Sequence, residues 1–183
     1  MIVMRRNRVL RLRWSAPSVY RFTLNVDGSV KTGLNRAGFD GVMRNNTRKW
    51  GWRYYVQNDI WGPSLVETRA IVECLSWVWQ KGIRDLEVQS DAKNIVQWIQ
   101  KNSLGCGPIR QCIEKAKWWI NRDWRISLLV VYSEQNKVAD YLASFGALQV
   151  DERKFVDDRP IVSQAYLDDL AHIKRARRVV ETT

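Results

Sequence analysis

The chain has 183 residues, 45% hydrophobic and 27% charged, enough for one domain with a proper core and too few for two ordinary ones. Thirty Lys and Arg stand against nineteen Asp and Glu, a formal charge of +11, so an anionic partner is expected, nucleic acid ahead of a membrane surface. Three cysteines without a CxxC spacing indicate neither a zinc site nor a disulfide framework, and no apolar run approaches the roughly 20 residues of a membrane span.

The chain starts with an acid-poor basic arm, residues 1–13, carrying Arg5, Arg6, Arg8, Arg11 and Arg13. It lacks the Ser content of a transit peptide. It reads as a solvated arm before a nucleic-acid contact or a targeting segment. In YRFTLNVDG, Phe22, Leu24 and Val26 alternate with Thr23, Asn25 and Asp27, which predicts a strand with one apolar face and Asp27 on the other. After a loop rich in Gly and Asn, further strands are expected over Ala37–Arg44 and about Trp50–Val56, the three forming an antiparallel meander.

Pro63 and Ser64 open a helix, with Ser64 as N-cap and Glu67 three residues on, a capping-box spacing. Val66, Ala70, Cys74, Leu75 and Val78 recur at helical intervals, and Gly82 ends the segment. Leu86 and Val88 mark a fourth strand, with Asp91 at its carboxyl end. A helix follows over Ala92–Lys101, then a break over Leu104–Pro108 and another helix to Ile120. RISLLVVYS, from Arg125 to Ser133, gives a fifth strand. A helix over Val138–Ala147 completes the domain, residues 14–150. The charged tail, residues 151–183, is expected to carry a loosely attached amphipathic helix over Ile161–Val180. Strands separated by helices imply right-handed parallel crossovers beside the meander.

Four carboxylates interrupt these patterned segments: Asp27, Glu67, Asp91 and Asp140. Unpaired negative charges are costly inside a framework. Several brought together need a hard cation, and oxygen donors suit Mg²⁺ or Mn²⁺. In an open α/β sheet, sites form outside the carboxyl ends of parallel strands, where Asp91 lies beside the strand of Asp27. Each acid also has a local alternative. Asp27 can be a turn residue, Glu67 a capping residue, Asp91 an N-cap and Asp140 a first-turn acid favoured by the helix dipole. Asn136 reads more as a cap of the last helix than as a substrate contact. The pairs Trp77/Trp79 and Trp118/Trp119 read mainly as packing, with one ring of each pair outward and free to stack on a base.

The stretches LNVDGSV, AGFDGVMR, VETRAIVECLSWVWQKGI, LEVQSDAKNIVQWI and EQNKVADYLASFGA together resemble the type 1 ribonuclease H-like fold. The similarity is to the plant reverse-transcriptase-like group derived from retroelements, and WSAP resembles the Trp-x-x-Pro that precedes its first strand. The resemblance covers about Trp14 to Ala147. It implies an α/β fold with a five-stranded mixed sheet, three strands antiparallel and two parallel, flanked by helices. It also implies a catalytic and metal-binding tetrad of Asp27, Glu67, Asp91 and Asp140 holding two Mg²⁺ or Mn²⁺ ions. Such enzymes cut the RNA strand of an RNA/DNA hybrid, with one ion aiming a water and the other stabilising the leaving 3′ oxygen. Gly28, Ser29 and Asn136 are candidate substrate contacts. The group's His-x-x-Arg-Glu-x-Asn pattern is broken here, because Val130 and Ser133 stand at the His and Arg positions while Glu134 and Asn136 match. That predicts slowed turnover with metal binding retained.

Two rivals follow. One is a nucleic-acid-binding module on the same fold without cleavage. The other is a protein scaffold that uses its Trp patches and binds without regard to salt. A monomer in a reducing intracellular compartment, nucleus or cytoplasm ahead of an organelle, is expected, with no membrane partner.

Overall fold

A computed structural model describes residues 5–48, 50–59, 62–101, 107–148, 153–156 and 163–182. The elements are β1 (Arg5–Leu12), β2 (Phe22–Lys31), β3 (Arg36–Arg44), β4 (Trp50–Asp59), α1 (Pro63–Gln80), β5 (Asp85–Ser90), α2 (Lys93–Gln100), α3 (Gly107–Ile120), β6 (Arg125–Val130), α4 (Lys137–Gly146), β7 (Arg153–Val156), α5 (Gln164–Leu170) and β8 (Arg175–Thr182). The main sheet runs β6-β5-β2-β3-β4-β7. Strands β2, β3 and β4 pair antiparallel, and β5 and β6 pair parallel beside β2. The expected five-stranded mixed sheet is present, and β7 adds a sixth strand against β4.

Side-chain alternation fixes both faces of this sheet. On one face Leu24, Val26, Phe39 and Met43 join α1 in the main core with Ala70, Ile71, Cys74 and Leu75. On the other, Val42 packs with Val138, Ala139 and Leu142 of α4 and Tyr166 of α5. The face of Asp27 was expected to be merely the polar side of a half-buried strand. Instead Thr23, Asn25 and Asp27 are buried as well, because α4 covers them. Two glycines set how closely the helices approach. A Cβ on Gly41 would fall 2.4 Å from Cys74 Sγ, and one on Gly38 would fall 2.4 Å from the backbone nitrogen of Ala147.

Several local expectations are corrected. The cap of α1 is Gly62, with Pro63 at the first helical position, and Ser64 lies inside the helix with its carbonyl accepting the Thr68 hydroxyl at 2.6 Å. Proline's fixed φ suits it to open the helix there. Helix α2 begins at Lys93, so Asp91 stands before its cap residue Ala92. Strand β6 ends at Val130, short of Ser133. The break expected over Leu104–Pro108 lies outside the described residues up to Cys106.

The largest departure concerns the termini. The basic arm is a strand, and β1 pairs antiparallel with β8 in a separate two-stranded ribbon, Arg8 opposite Val179 and Leu12 opposite Arg175. The tail helix expected over Ile161–Val180 is only Gln164–Leu170 among the described residues, and the chain then turns into β8. The tail is clamped to the sheet. Asp169 is 2% exposed and receives Arg44 Nη1 at 2.7 Å and Arg175 Nη1 at 2.9 Å. Arg44, itself buried, stacks on the buried Trp14 ring at 3.6 Å. The Trp of WSAP thus roofs a buried ion pair. Removing one member of such a pair strands the other charges in the interior. Asp169→Ala is therefore expected to lower unfolding free energy by about 3–5 kcal/mol, read by chemical denaturation, and Asp168→Ala, at a half-buried position with a longer contact to Arg175, to change it less.

Candidate metal and nucleic-acid site

The site is built from three elements that meet at the carboxyl end of β5. Strand β2 carries Asp27, 5% exposed. The first turns of α1 carry Glu67, and Asp91 directly follows β5. Gly28 brings the helix in: a Cβ there would stand 2.9 Å from Val66 Cγ1 and 3.0 Å from the Glu67 nitrogen. No other residue type leaves room for that approach. The Gly28 N–H donates to the Glu67 carboxylate, which also shares a hydrogen bond with Asp27. One ligand oxygen from each of Asp27, Glu67 and Asp91 lies within 4.8 Å of the others.

Asp140, the fourth expected acid, stands outside that tight group. It sits in the first turn of α4, about half exposed, with Oδ2 2.9 Å from Lys137 Nζ. Its charge is still felt by both Asp27 and Glu67. Of the candidate substrate contacts, Ser29 shares a hydrogen bond with Ser144 at 3.2 Å. Asn136 is 1% exposed. It occupies the N-cap position of α4, but its side chain makes no capping bond. Its amide nitrogen donates to the Val26 carbonyl at 2.9 Å and to Asp91 Oδ1 at 3.2 Å.

Asn136 belongs to a buried polar chain that sequence reasoning missed. Asp169 pairs with Arg44, Arg44 Nη2 donates to Asn25 Oδ1 at 2.7 Å, and Asn25 Nδ2 donates to Asn136 Oδ1 at 3.1 Å and Gln89 Oε1 at 2.9 Å. Asn136 then reaches Asp91. Buried polar groups that satisfy one another in this way fix a single arrangement. The signal was present in β3, where Asp40, Val42 and Arg44 share one side of an alternating strand that α4 covers. Lys93 and Arg177 were also missed as site residues. Both line a cleft of about 240 Å³ with Asp91, Val130, Tyr132 and Ser133. A second cleft of about 370 Å³ opens from Asp91 and Glu67 past Lys93 and Asn94.

Burial pushes the Asp27 carboxyl up to about 10, helped by the charges of Glu67, Asp91 and Asp140. Burial and Asp91 likewise push Glu67 up to about 8, against the opposing hydrogen bonds from Asp27 and Gly28. A divalent cation fits the donor set, since the ligands are all hard oxygens and Glu67 Oε2 is buried without a hydrogen-bond partner among the described residues. Such an oxygen is costly to bury unless something binds it.

Raised acid pKa values add to folded-state stability a contribution that falls as pH rises, because between the two pKa values the folded state holds more protons than the unfolded chain. That contribution is full below the ordinary values of 3.8 and 4.5 and is lost as pH rises through about 8 for Glu67 and about 10 for Asp27. Metal-free protein should therefore lose Tm as pH rises across this window, and Asp27→Asn should flatten the loss. Mn²⁺ should raise Tm, by more at pH 9 than at pH 6, as read by differential scanning calorimetry.

The chain is similar to known proteins in sequence and in fold. The reverse transcriptase-like family matches residues 25–146. An Arabidopsis thaliana protein, provisionally named a ribonuclease H, is 23% identical over 167 residues, covering 91% of this chain and 27% of that protein. The chain thus spans about a quarter of the length of that relative. Among solved structures, the N-terminal RNase H domain of a Mycobacterium tuberculosis protein superposes with a TM-score of 0.63 at 19% identity, covering 71% of this chain and 94% of that one. RNase H1 of the halophilic archaeon Halobacterium salinarum gives 0.58 at 18%, covering 69% and 96%. LC11-RNase H1, crystallised with an RNA/DNA hybrid, gives 0.62 at 16%, covering 69% and 96%. The fold is that of ribonuclease H, and with most of its length matched, the chain belongs to the reverse transcriptase-like family.

Proposed function

We propose that this domain hydrolyses the RNA strand of RNA/DNA hybrids, with Asp27, Glu67, Asp91 and Asp140 as its acidic machinery. The convergence of three carboxylates within 4.8 Å from separate elements carries this reading. Sharing a fold with LC11-RNase H1, whose crystal holds a hybrid, supports the substrate class. These acids would hold a pair of Mg²⁺ or Mn²⁺ ions, which supply an activated water and charge stabilisation at the leaving oxygen.

The chain's own residues do the rest. Asn136 fixes the Asp91 carboxylate by hydrogen bond and is itself tied to the Val26 carbonyl, a supporting arrangement that keeps an acid aimed. Gly28 sets the distance between Asp27 and Glu67 through its close contact with α1. Lys93 and Arg177 border the cleft over Asp91 and can hold phosphates by charge rather than by base edge, so little sequence preference is expected. Lys137 holds Asp140 at the rim. Ser29, two residues along β2 from Asp27 and hydrogen-bonded to Ser144, is the candidate contact for a backbone hydroxyl.

A second reading, hybrid binding without cleavage, is favoured by one observation. Val130 ends β6, is 43% exposed and lines the cleft with Asp91, yet has no group that exchanges protons. The sole histidine, His172, lies in the turn after α5 and does not line this cleft.

The test is incubation of the purified chain with a labelled hybrid and Mg²⁺ or Mn²⁺. Cleavage is expected, falling at least about a hundredfold in Asp27→Asn, Glu67→Gln and Asp91→Asn, since the charge stabilisation at stake is several kcal/mol. Val130→His should raise kcat, by up to roughly a hundredfold, with KM little changed. Tight binding with no cleavage under either metal would establish the second reading.

A further inference from the structure

We infer that Asn25 is a positioning residue for the Asp91 carboxylate: held by Arg44, its amide obliges that of Asn136 to donate to Asp91. This inference rests on the reading of Asp91 as a metal ligand.

The buried chain beneath the acids has a direction. At one end stands Arg44, whose guanidinium can only donate. It delivers Nη1 to Asp169 Oδ2 and Nη2 to Asn25 Oδ1, each at 2.7 Å. At the far end stand groups that can only accept: the Asp91 carboxylate, the Val26 carbonyl and the Glu87 carboxylate. Three amides join the two ends. Arg44 claims the Asn25 oxygen, which leaves the Asn25 nitrogen to donate to Asn136 Oδ1 at 3.1 Å and Gln89 Oε1 at 2.9 Å. Asn136 must then turn its nitrogen toward the Val26 carbonyl at 2.9 Å and Asp91 Oδ1 at 3.2 Å. Gln89 likewise turns its nitrogen to Glu87 Oε1 at 2.6 Å. Every link runs the same way, and reversing any one amide would set oxygen against oxygen.

Asn25 is the branch point of this chain. It is fully buried, pairs with Gln89 across β2 and β5, and lies two residues before Asp27 on the same side of β2. Apolar side chains in place of a buried ionic network often cost no stability, so stability alone does not account for these groups. What they enforce is a donor aimed at Asp91. Fixing one Asp91 oxygen fixes the plane of its carboxylate, and with it the approach of Asp91 to Asp27 and Glu67. Hydrogen bonds of this kind around a ligand commonly govern how well the metal is held.

The test measures Mn²⁺ affinity of the full chain by titration calorimetry in Asn25→Ser, Asn136→Ala and the double variant. Asn25→Ser is expected to weaken binding about tenfold, and Asn136→Ala by about ten- to a hundredfold. The double variant should match Asn136→Ala, because Asn25 acts through Asn136 and the two effects do not add. Val42→Ala, which loosens the same packing against α4, should lower Tm and leave the affinity unchanged. Unchanged affinity in Asn25→Ser, losses that add in the double variant, or an equal loss in Val42→Ala overturns the inference and leaves the metal reading standing. Absence of Mn²⁺ binding by the parent protein overturns both. Side-chain amide exchange, followed by NMR in the parent, decides the matter where the variants do not fold. Slow exchange at Asn25 and Asn136 is expected, and exchange as fast as that of exposed amides overturns the inference.

Discussion

Holding Asp27, Glu67 and Asp91 within 4.8 Å of one another in a mostly buried pocket is the constraint on which the structure turns. Desolvation and like charge both oppose it. Three things compensate. Gly28 removes the steric barrier to the approach of α1 and donates its N–H to Glu67. Asn136 donates to Asp91. Burial and the remaining repulsion raise the Asp27 and Glu67 carboxyls to about 10 and about 8, and the repulsion would be relieved by a hard cation. The pocket is thus poor as a core and suited to a cation, and its acids stay together because the sheet and α1 hold them.

The polar chain from Asp169 through Arg44 and Asn25 to Asn136 extends that constraint to the far end of the sequence. Its groups satisfy one another in the interior, where half-satisfied networks are the costly ones. The tail consequently does two jobs. Through Asp169 it completes the support beneath the acids, and through Arg177 it lines the cleft above them. A polar network and a basic ribbon thereby connect residues more than a hundred positions apart, and the domain closes on its own termini.

Much of this was legible in the sequence, for identifiable reasons. Phe22, Leu24 and Val26 gave the right strand and the right division of its two faces because period 2 is a strong local signal. The acids were found because each interrupts an apolar pattern that otherwise explains itself. Other features were not local. Arg5–Leu12 pairs with Arg175–Thr182, and no window along the chain contains both. RARRVVET, read alone, is basic and weakly amphipathic, so it passed for a helix end. Ser64 and Glu67 satisfied a capping-box spacing, but Pro63 at the first helical position moved the cap two residues earlier, to Gly62. Asn136 was placed at its cap position correctly, while its side chain turned to Asp91 because a charged carboxylate is the stronger acceptor. Asp140 was gathered with the other acids by motif, yet sits outside their tightest group, since one helical turn on α4 gives it Lys137 and solvent.

Direct metal titration by isothermal calorimetry tests the central claim most closely. Saturable Mn²⁺ binding to the intact chain, abolished in Asp27→Asn and Glu67→Gln and preserved in Lys137→Ala, is the predicted result. Binding that is absent, or that survives loss of both Asp27 and Glu67 carboxylates, would contradict it.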